Sequence, residues 1–357
     1  MRRYKTYING EWFEGASGIV LRSVDPSNNK ELGEIVQNSK EDVEYAIESA
    51  SRSFYKTREW RDLDVQQRSD KLLKIADMIE SEIDEIAKTE SMDNGKPLRE
   101  AQADVDDAVH CFRYYAGLIR TPSGQTYNVN SNFGNMHSYT VKEPVGVCAL
   151  ITPWNFPFLM SVWKIAPALA AGNSIIFKPS SETVLSALKL FEILDKCDLP
   201  KGTANLVIGS GSTVGNLLAE SKKVDMITFT GSTSVGQGIM RAAAGNVKKI
   251  GLELGGKSPN IVLADTDIDK TVEWVMMGIF LNQGEVCCAG SRLIIEKSIK
   301  DKFLKKLVER TDKLTLGAPL DNPDMGPLIS KKHMQDVLGY IEKGKAEGAK
   351  LLCGGYK

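Results

Sequence analysis

Two adjacent cysteines, Cys287 and Cys288, stand in the segment FLNQGEVCCAGSR (Phe280 to Arg292), after a glycine-containing turn and before a stretch that reads as a strand. A cysteine in such a loop is open to substrate, and its thiolate is the nucleophile. A thiol with a free pKa near ~8.5 therefore needs nearby donors or a base. An isolated cysteine is more often a small buried hydrophobe. A second segment, LELGGKSPN (Leu252 to Asn260), places Glu253 at the end of an apolar strand beside Gly255 and Gly256. Burial there would raise its pKa and make it a base usable near neutrality, while a salt-bridged strand-end glutamate is the plain alternative. A third, ITPWNFPFLMSVWK (Ile151 to Lys164), carries Asn155 just before Phe156-Pro157. Its side-chain amide either donates to a developing oxyanion or caps the following helix.

FTGSTSVG (Phe229 to Gly236) is a strand running into a Gly-Ser-Thr turn and a helix, an arrangement that offers backbone N–H groups to a pyrophosphate. Gly209, Gly211 and Gly215 also follow a strand, but their GxGxxxG spacing departs from the dinucleotide fingerprint and reads as a plain strand-to-helix connection. Lys178-Pro179 sets a cation at a strand end, either beside a ribose or simply solvated. The three histidines, 110, 137 and 333, share no ligand spacing, so no metal is expected.

These groups need a frame. At 357 residues the chain has room for two or three domains, each with its own core. With 45 basic and 46 acidic residues the charge is balanced, which argues against nucleic acid or an anionic membrane and for a small-molecule substrate. The six cysteines form neither CxxC pairs nor a disulfide framework, as in a reducing cytoplasm. No signal-peptide core and no run of roughly 18 apolar residues is visible, so neither secretion nor membrane anchoring is expected.

Residues 1 to 35 read as short strands with turns at Asn9-Gly10 and Asp25-Pro26. Residues 40 to 120 read as amphipathic helices with one sharp stop at Asp93 to Pro97. The stretch from Thr126 to Val141 resembles a projecting hairpin whose edges can pair with another copy. From Val145, apolar runs (145–151, 174–177, 205–208, 226–229, 250–254) alternate with helices, which predicts a doubly wound parallel sheet with a nucleotide site at its carboxyl ends. A second α/β region follows Gly256, and the ending LLCGGYK offers a last strand and turn. The expected organisation is a cofactor domain of 1–120 and 142–256, a hairpin of 121–141 and a catalytic domain of 257–357.

Taken together, PWNFP, FKPS, FTGSTxxG, LELGGKSP and NxGxxCxAGSR, in that order, closely resemble the aldehyde dehydrogenase superfamily, over the chain from YINGEW onward. The resemblance implies a Rossmann-like cofactor domain, a second α/β catalytic domain and a projecting hairpin. It implies oxidation of an aldehyde to a carboxylic acid with NAD or NADP, through a hemithioacetal and a thioester on Cys287. In that scheme Glu253 is the general base and Asn155 the oxyanion donor, with the Cys287 amide. Lys178 contacts the adenosine ribose, while Thr152, Trp154, Ser181, Gly231, Ser232, Gly236 and Gly255 belong to the cofactor site. Phe156, Met160, Trp163 and Cys288 line the substrate tunnel. Betaine aldehyde and a broad aldehyde range both suit an aromatic tunnel, and complete family chains are homo-oligomers.

Three departures qualify these implications. Glu285 replaces the family's usual glutamine, a carboxylate expected to raise the Cys287 pKa and slow attack. Ser181 stands where NAD-preferring members carry glutamate, with Glu182 displaced by one, which removes repulsion against a 2′-phosphate. Family chains also continue beyond this end, through an EIFGPV segment, so a C-terminally truncated member is expected. Two rivals remain: a catalytically silent nucleotide-binding homologue, and a cysteine esterase using Cys287 and Glu253 without cofactor.

Overall fold

The structure, a computed structural model, describes residues 2–357. Turn-forming residues cut the start of the chain into β1 (Arg3–Tyr4), β2 (Thr6–Ile8), β3 (Glu11–Phe13), β4 (Val20–Val24) and β5 (Glu31–Val36). Asn9 and Gly10, between β2 and β3, have φ of 56° and 80°, the paired left-handed geometry that a tight hairpin requires and that Asn-Gly adopts cheaply. Helices α1 (Lys40–Arg52), α2 (Val65–Ser81), α3 (Ile83–Asn94) and α4 (Leu98–Leu118) follow. In α2 the buried Leu72, Ile75 and Ile79 recur three and four apart, an amphipathic stripe facing the core. The stop at 93–97 is a glycine cap: Gly95, at φ 99°, ends α3. Strands β6 (Thr126–Ser131) and β7 (Gly134–Tyr139) form an antiparallel hairpin with both strands solvent-exposed.

The alternating region supplies β8 (Val147–Ile151), α5 (Pro157–Ala170), β9 (Ser174–Lys178), α6 (Leu185–Lys196), β10 (Ala204–Leu206), α7 (Asn216–Glu220), β11 (Met226–Gly231), α8 (Thr233–Ala243) and β12 (Lys249–Leu254). With β2 and β3 these strands build a seven-stranded sheet of order β12-β11-β8-β9-β10-β2-β3, in which β2 alone runs antiparallel to the other strands. Every residue of β8 and β9 is buried, because helices cover both faces. Cys148 and Leu150 face the core shared with α2 to α6, while Val147, Ala149 and Ile151 face the core shared with α1, α7 and α8. The chain lays down β8, β9 and β10 in one direction and then returns to place β11 on the other side of β8. That reversal opens a crevice at the carboxyl ends of β8 and β11, where Thr152 to Asn155 and Gly231-Ser232 lie.

Val145 falls outside β8 because Gly146, at φ 135°, breaks the extended run; a Cβ there would come within 2.1 Å of the Asp225 carboxylate, which accepts the Val147 N–H at 2.7 Å. Past β12, strands β13 (Pro259–Val262) and β14 (Arg292–Ile295) pair in parallel beside α9 (Ile268–Phe280) and α10 (Lys300–Thr311), around Val262, Val272, Val275, Met276 and Phe303. Helix α11 (Lys331–Ala346) follows. The expected last strand is not formed: residues 349–357 are irregular, turned by Gly354 and Gly355 at φ 66° and 81°. Among the described residues no helix is long and apolar enough to cross a membrane.

Gly146→Ala combines an unfavourable φ with that 2.1 Å approach, so it should lower stability by about 3 kcal/mol, read by chemical denaturation. Wild-type stability in the variant would show that the β8 entry relaxes freely.

Candidate active site

The carboxyl ends of β8, β9 and β11 carry polar groups held with few partners. Lys178, the last residue of β9, is buried rather than solvated; its Nζ donates to the Pro179 carbonyl at 3.0 Å. Burial pulls its ammonium pKa down to about 8, so an acceptor brought beside it would strengthen its charge. The hydroxyls of Thr152, just past β8, and of Thr230, near the end of β11, are buried without a hydrogen-bond partner. Ser232 caps α8 by accepting the Val235 N–H at 3.4 Å, which leaves other first-turn amides of that helix for an anion. Gly236 lets α8 lie close to β12, since a Cβ there would meet Leu254 Cδ2 at 2.8 Å. Ser181 donates its hydroxyl to the Gly209 carbonyl at 3.0 Å, tying the end of β9 to the glycine turn after β10. Glu182 and Gly255 are both exposed.

The Cys287 segment begins where α9 breaks. Asn282 and Gln283 take left-handed φ of 47° and 57°, and the chain then swings through Glu285 to the exposed Cys287 and Cys288. Asn155 is joined to this loop twice: its Nδ2 donates to the Glu285 carbonyl at 2.7 Å, and its own carbonyl accepts from Asn282 Nδ2 at 2.7 Å. Asn155 is not a helix cap, because the N-cap of α5 is Phe156, without a side-chain capping bond. The Gly256 N–H donates to the Cys287 carbonyl at 3.1 Å. That bond joins the turn after Glu253 to the Cys287 loop.

Two expectations about charge are corrected. Glu253 is exposed rather than buried, because β12 is the edge strand of the sheet. The cation that senses it is Lys164, whose burial lowers its pKa to about 8 while Glu253 opposes the shift. Glu285 does not burden the thiol with a carboxylate. It is buried, its Oε1 accepts the Ile329 N–H at 3.0 Å, and burial raises its pKa to about 8, so it is mostly protonated at neutrality. The Cys287 thiol is itself pushed up, first by burial and then by Cys288.

Phe156, Met160 and Trp163 recur at the spacing of one helical face of α5. Half-exposed Trp163 lines a cleft of about 550 Å³ with Asp107, His110, Cys111, Tyr114 and Tyr115. Sequence reasoning missed these α4 residues, although 107, 110, 111 and 114 share one helical face. It also missed the support beneath the Asn155 loop. Lys96 is wholly buried, with its Nζ 2.5 Å from Asp104 Oδ2, 3.5 Å from Glu90 Oε1 and 4.3 Å from the Phe156 ring centroid. Burial opposes its charge, but Asp104 and Glu90 outweigh burial and hold it protonated. Glu90 in turn accepts the Phe158 N–H at 3.2 Å, and Asn94 Nδ2 donates to the Trp154 carbonyl at 2.9 Å.

A family model described as the aldehyde dehydrogenase family matches residues 12–357. Betaine aldehyde dehydrogenase of Bacillus subtilis (strain 168) is 45% identical over 350 residues, covering 98% of this chain and 71% of that protein. Mitochondrial aldehyde dehydrogenase of Homo sapiens is 41% identical over 353 residues, covering 98% of this chain and 68% of that one. The crystal structure of betaine aldehyde dehydrogenase from Staphylococcus aureus in complex with NAD+ superposes with a TM-score of 0.95 at 42% identity, covering 99% of this chain and 70% of that chain.

Lys96→Met strands Asp104 and Glu90 without their buried cation. It should cost about 3–5 kcal/mol of stability by denaturant titration, and a loss below ~1 kcal/mol would mean the cluster is not fastening the Asn155 loop.

Proposed function

The chain belongs to the aldehyde dehydrogenase family, and from that premise we propose that it oxidises an aldehyde to the carboxylic acid with NAD or NADP, using Cys287 as the covalent nucleophile. The observation that carries this reading is the double hydrogen bond between Asn155 and the 282–285 loop, at 2.7 Å each way. It sets an amide donor from the crevice beside the loop that presents an exposed thiol.

The crevice suits a dinucleotide. Lys178 has one carbonyl for company, Thr152 and Thr230 have free hydroxyls, and α8 turns its N-terminus to the crevice. Trp154, Ser181, Gly231, Ser232, Gly236 and Gly255 complete the proposed cofactor set. Bound there, the nicotinamide would supply the oxidising power by accepting a hydride.

This chain's residues do the rest. The exposed Cys287 thiol gives its proton to solvent water, the Sγ thiolate adds to the aldehyde carbon, and the C=O π pair moves onto the carbonyl oxygen as an oxyanion. Asn155 Nδ2 carries two protons; one is committed to the Glu285 carbonyl, and the second, with the Cys287 N–H, is assigned to the oxyanion. After oxidation to the thioester, Glu253 takes a proton from water as it attacks the acyl carbon. The exposure of Glu253 gives it ready access to water. The acid leaves and the Cys287 thiol is restored.

For the substrate, we favour betaine aldehyde or a broad range of aldehydes. Trp163, Tyr114 and Tyr115 offer aromatic faces and Asp107 a carboxylate, surroundings that attract a quaternary ammonium. The similar proteins from B. subtilis and S. aureus are named for betaine aldehyde. In this reading residues 1–120 and 142–256 form the cofactor domain and 257–357 the catalytic region. The hairpin at 121–141, with Phe133 and Tyr139 exposed, contacts a second copy.

The test is the initial rate of reduced-cofactor formation from betaine aldehyde and a panel of neutral aldehydes, with NAD and NADP separately. Cys287→Ala should abolish turnover, and Asn155→Ala should slow it by about 100- to 1000-fold. Undiminished turnover in the Cys287 variant would overturn the proposal.

A further inference from the structure

Glu285 lies two residues before the nucleophile, yet nothing in the mechanism above uses its side chain. Its backbone carbonyl receives the Asn155 amide, so the position of this residue fixes the oxyanion donor relative to the thiol loop. Its side chain reaches a different segment, 329–333. Oε1 accepts the Ile329 N–H at 3.0 Å and lies 3.6 Å from His333 Nε2, while Oε2 is buried with no hydrogen-bond partner.

The segment it grips is anchored independently. Arg99 donates through its main-chain N–H to Asn322 Oδ1 at 2.8 Å, and through its guanidinium to the carbonyls of Asn322, Pro323 and Asp324. The His333 ring packs against Trp154, centroids 5.1 Å apart. Segment 322–333 therefore touches both halves of the site, the loop after β8 through Trp154 and the loop of Cys287 through Glu285.

We propose that Glu285 is a positioning residue: its carboxyl latches the Cys287 loop onto the Ile329–His333 segment, and loss of its proton opens that latch. The inference rests on the assignment of Cys287 as nucleophile only for its catalytic meaning. The latch itself is a property of the fold.

The groups facing the carboxyl set the sign. His333 approaches from α11 and is held neutral chiefly by its own burial, with Asp336 and Lys332 exerting opposed smaller effects. Lys96, from the turn between α3 and α4, favours the carboxylate, but less than burial disfavours it. Glu100 on α4 accepts the Asn282 N–H at 2.8 Å and adds no positive charge, and Cys287 on the same loop is itself biased toward the neutral thiol. An ionised Glu285 would place a charge on Oε2 with no donor to meet it, a cost that a single Ile329 N–H does not offset. The carboxyl is therefore stable in place while protonated. Its folded pKa, about 8, exceeds the ordinary 4.5, so its stabilising contribution is complete below about 4.5 and is lost as pH rises through about 8.

Glu285→Gln keeps the shape and the acceptor for Ile329 N–H but cannot ionise. The chain has three histidines, so histidine-labelled protein should give three resolvable ring signals, with that of His333 identified by its loss in His333→Asn. In the parent, the His333 signal should show its own titration and a second inflection near pH 8 from Glu285; in Glu285→Gln the second inflection should vanish. The melting temperature of Glu285→Gln relative to the parent should rise between about pH 5 and 8 and level off above. Alkylation of Cys287 by iodoacetamide, in a Cys288→Ser background, should differ between Glu and Gln at position 285 by less than about 2-fold at pH 6.5 and by several-fold at pH 9. A single His333 inflection, a second one that survives Glu285→Gln, or a pH-independent melting difference would overturn the latch. None of these readouts requires aldehyde turnover, so their failure is separable from failure of the dehydrogenase assignment.

Discussion

The site depends on one constraint: the loop bearing Cys287 is not self-supporting and takes its position from Asn155. Two left-handed residues, Asn282 and Gln283, leave that loop with no regular hydrogen-bond ladder of its own. Its order comes from bonds to neighbouring segments: Asn155 Nδ2 on the Glu285 carbonyl, Asn282 Nδ2 on the Asn155 carbonyl, the Asn282 N–H on Glu100, the Gly256 N–H on the Cys287 carbonyl and the Ile329 N–H on the Glu285 carboxyl. Asn155 is placed by β8, a strand buried on both faces, and by the Lys96 cluster beneath the Phe156 ring. Buried sheet, ion cluster, amide and Cys287 loop thus form a chain of support in which each member holds the next.

Several groups along this chain of support are held away from their ordinary ionisation. Lys178 and Lys164 are brought down to about 8 by burial, and Glu285 is brought up to about the same value. Holding a group away from its ordinary ionisation costs stability, and shifts of this size cluster at functional sites. Lys178 has the Pro179 carbonyl beside it, Lys164 senses Glu253, and Glu285 joins the Cys287 loop to Ile329 and to His333 of α11.

Much of this was legible in the sequence, for physical reasons that differ by residue. β8 and β9 announced themselves because strands covered on both faces must be apolar throughout, and Asn9-Gly10 because few residue pairs accept two left-handed positions cheaply. Lys178 and Asn155 could be singled out because one ends and the other closely follows a buried strand, and Cys287 because it stands in a loop after a glycine-containing turn. The exposure of Glu253 was not legible, since a short apolar run such as KIGLEL does not say whether its strand lies at the centre or the edge of a sheet. Asp93 to Pro97 read as a stop because its turn chemistry is local, whereas the reach of Asn94 to the Trp154 carbonyl spans 60 residues. The Glu285 contact to Ile329 spans 44 residues and joins two segments that share no periodicity, so only the folded chain reveals it.

The most direct test of this architecture is to catch the acyl group where it should form. With Glu253→Gln slowing hydrolysis, intact-protein and peptide mass spectrometry after a single turnover should find the acyl mass on Cys287, only when aldehyde and NAD or NADP are both present, and in proportion to cofactor reduced. Reduction of cofactor with no mass on Cys287, or an adduct confined to another residue, would contradict the account.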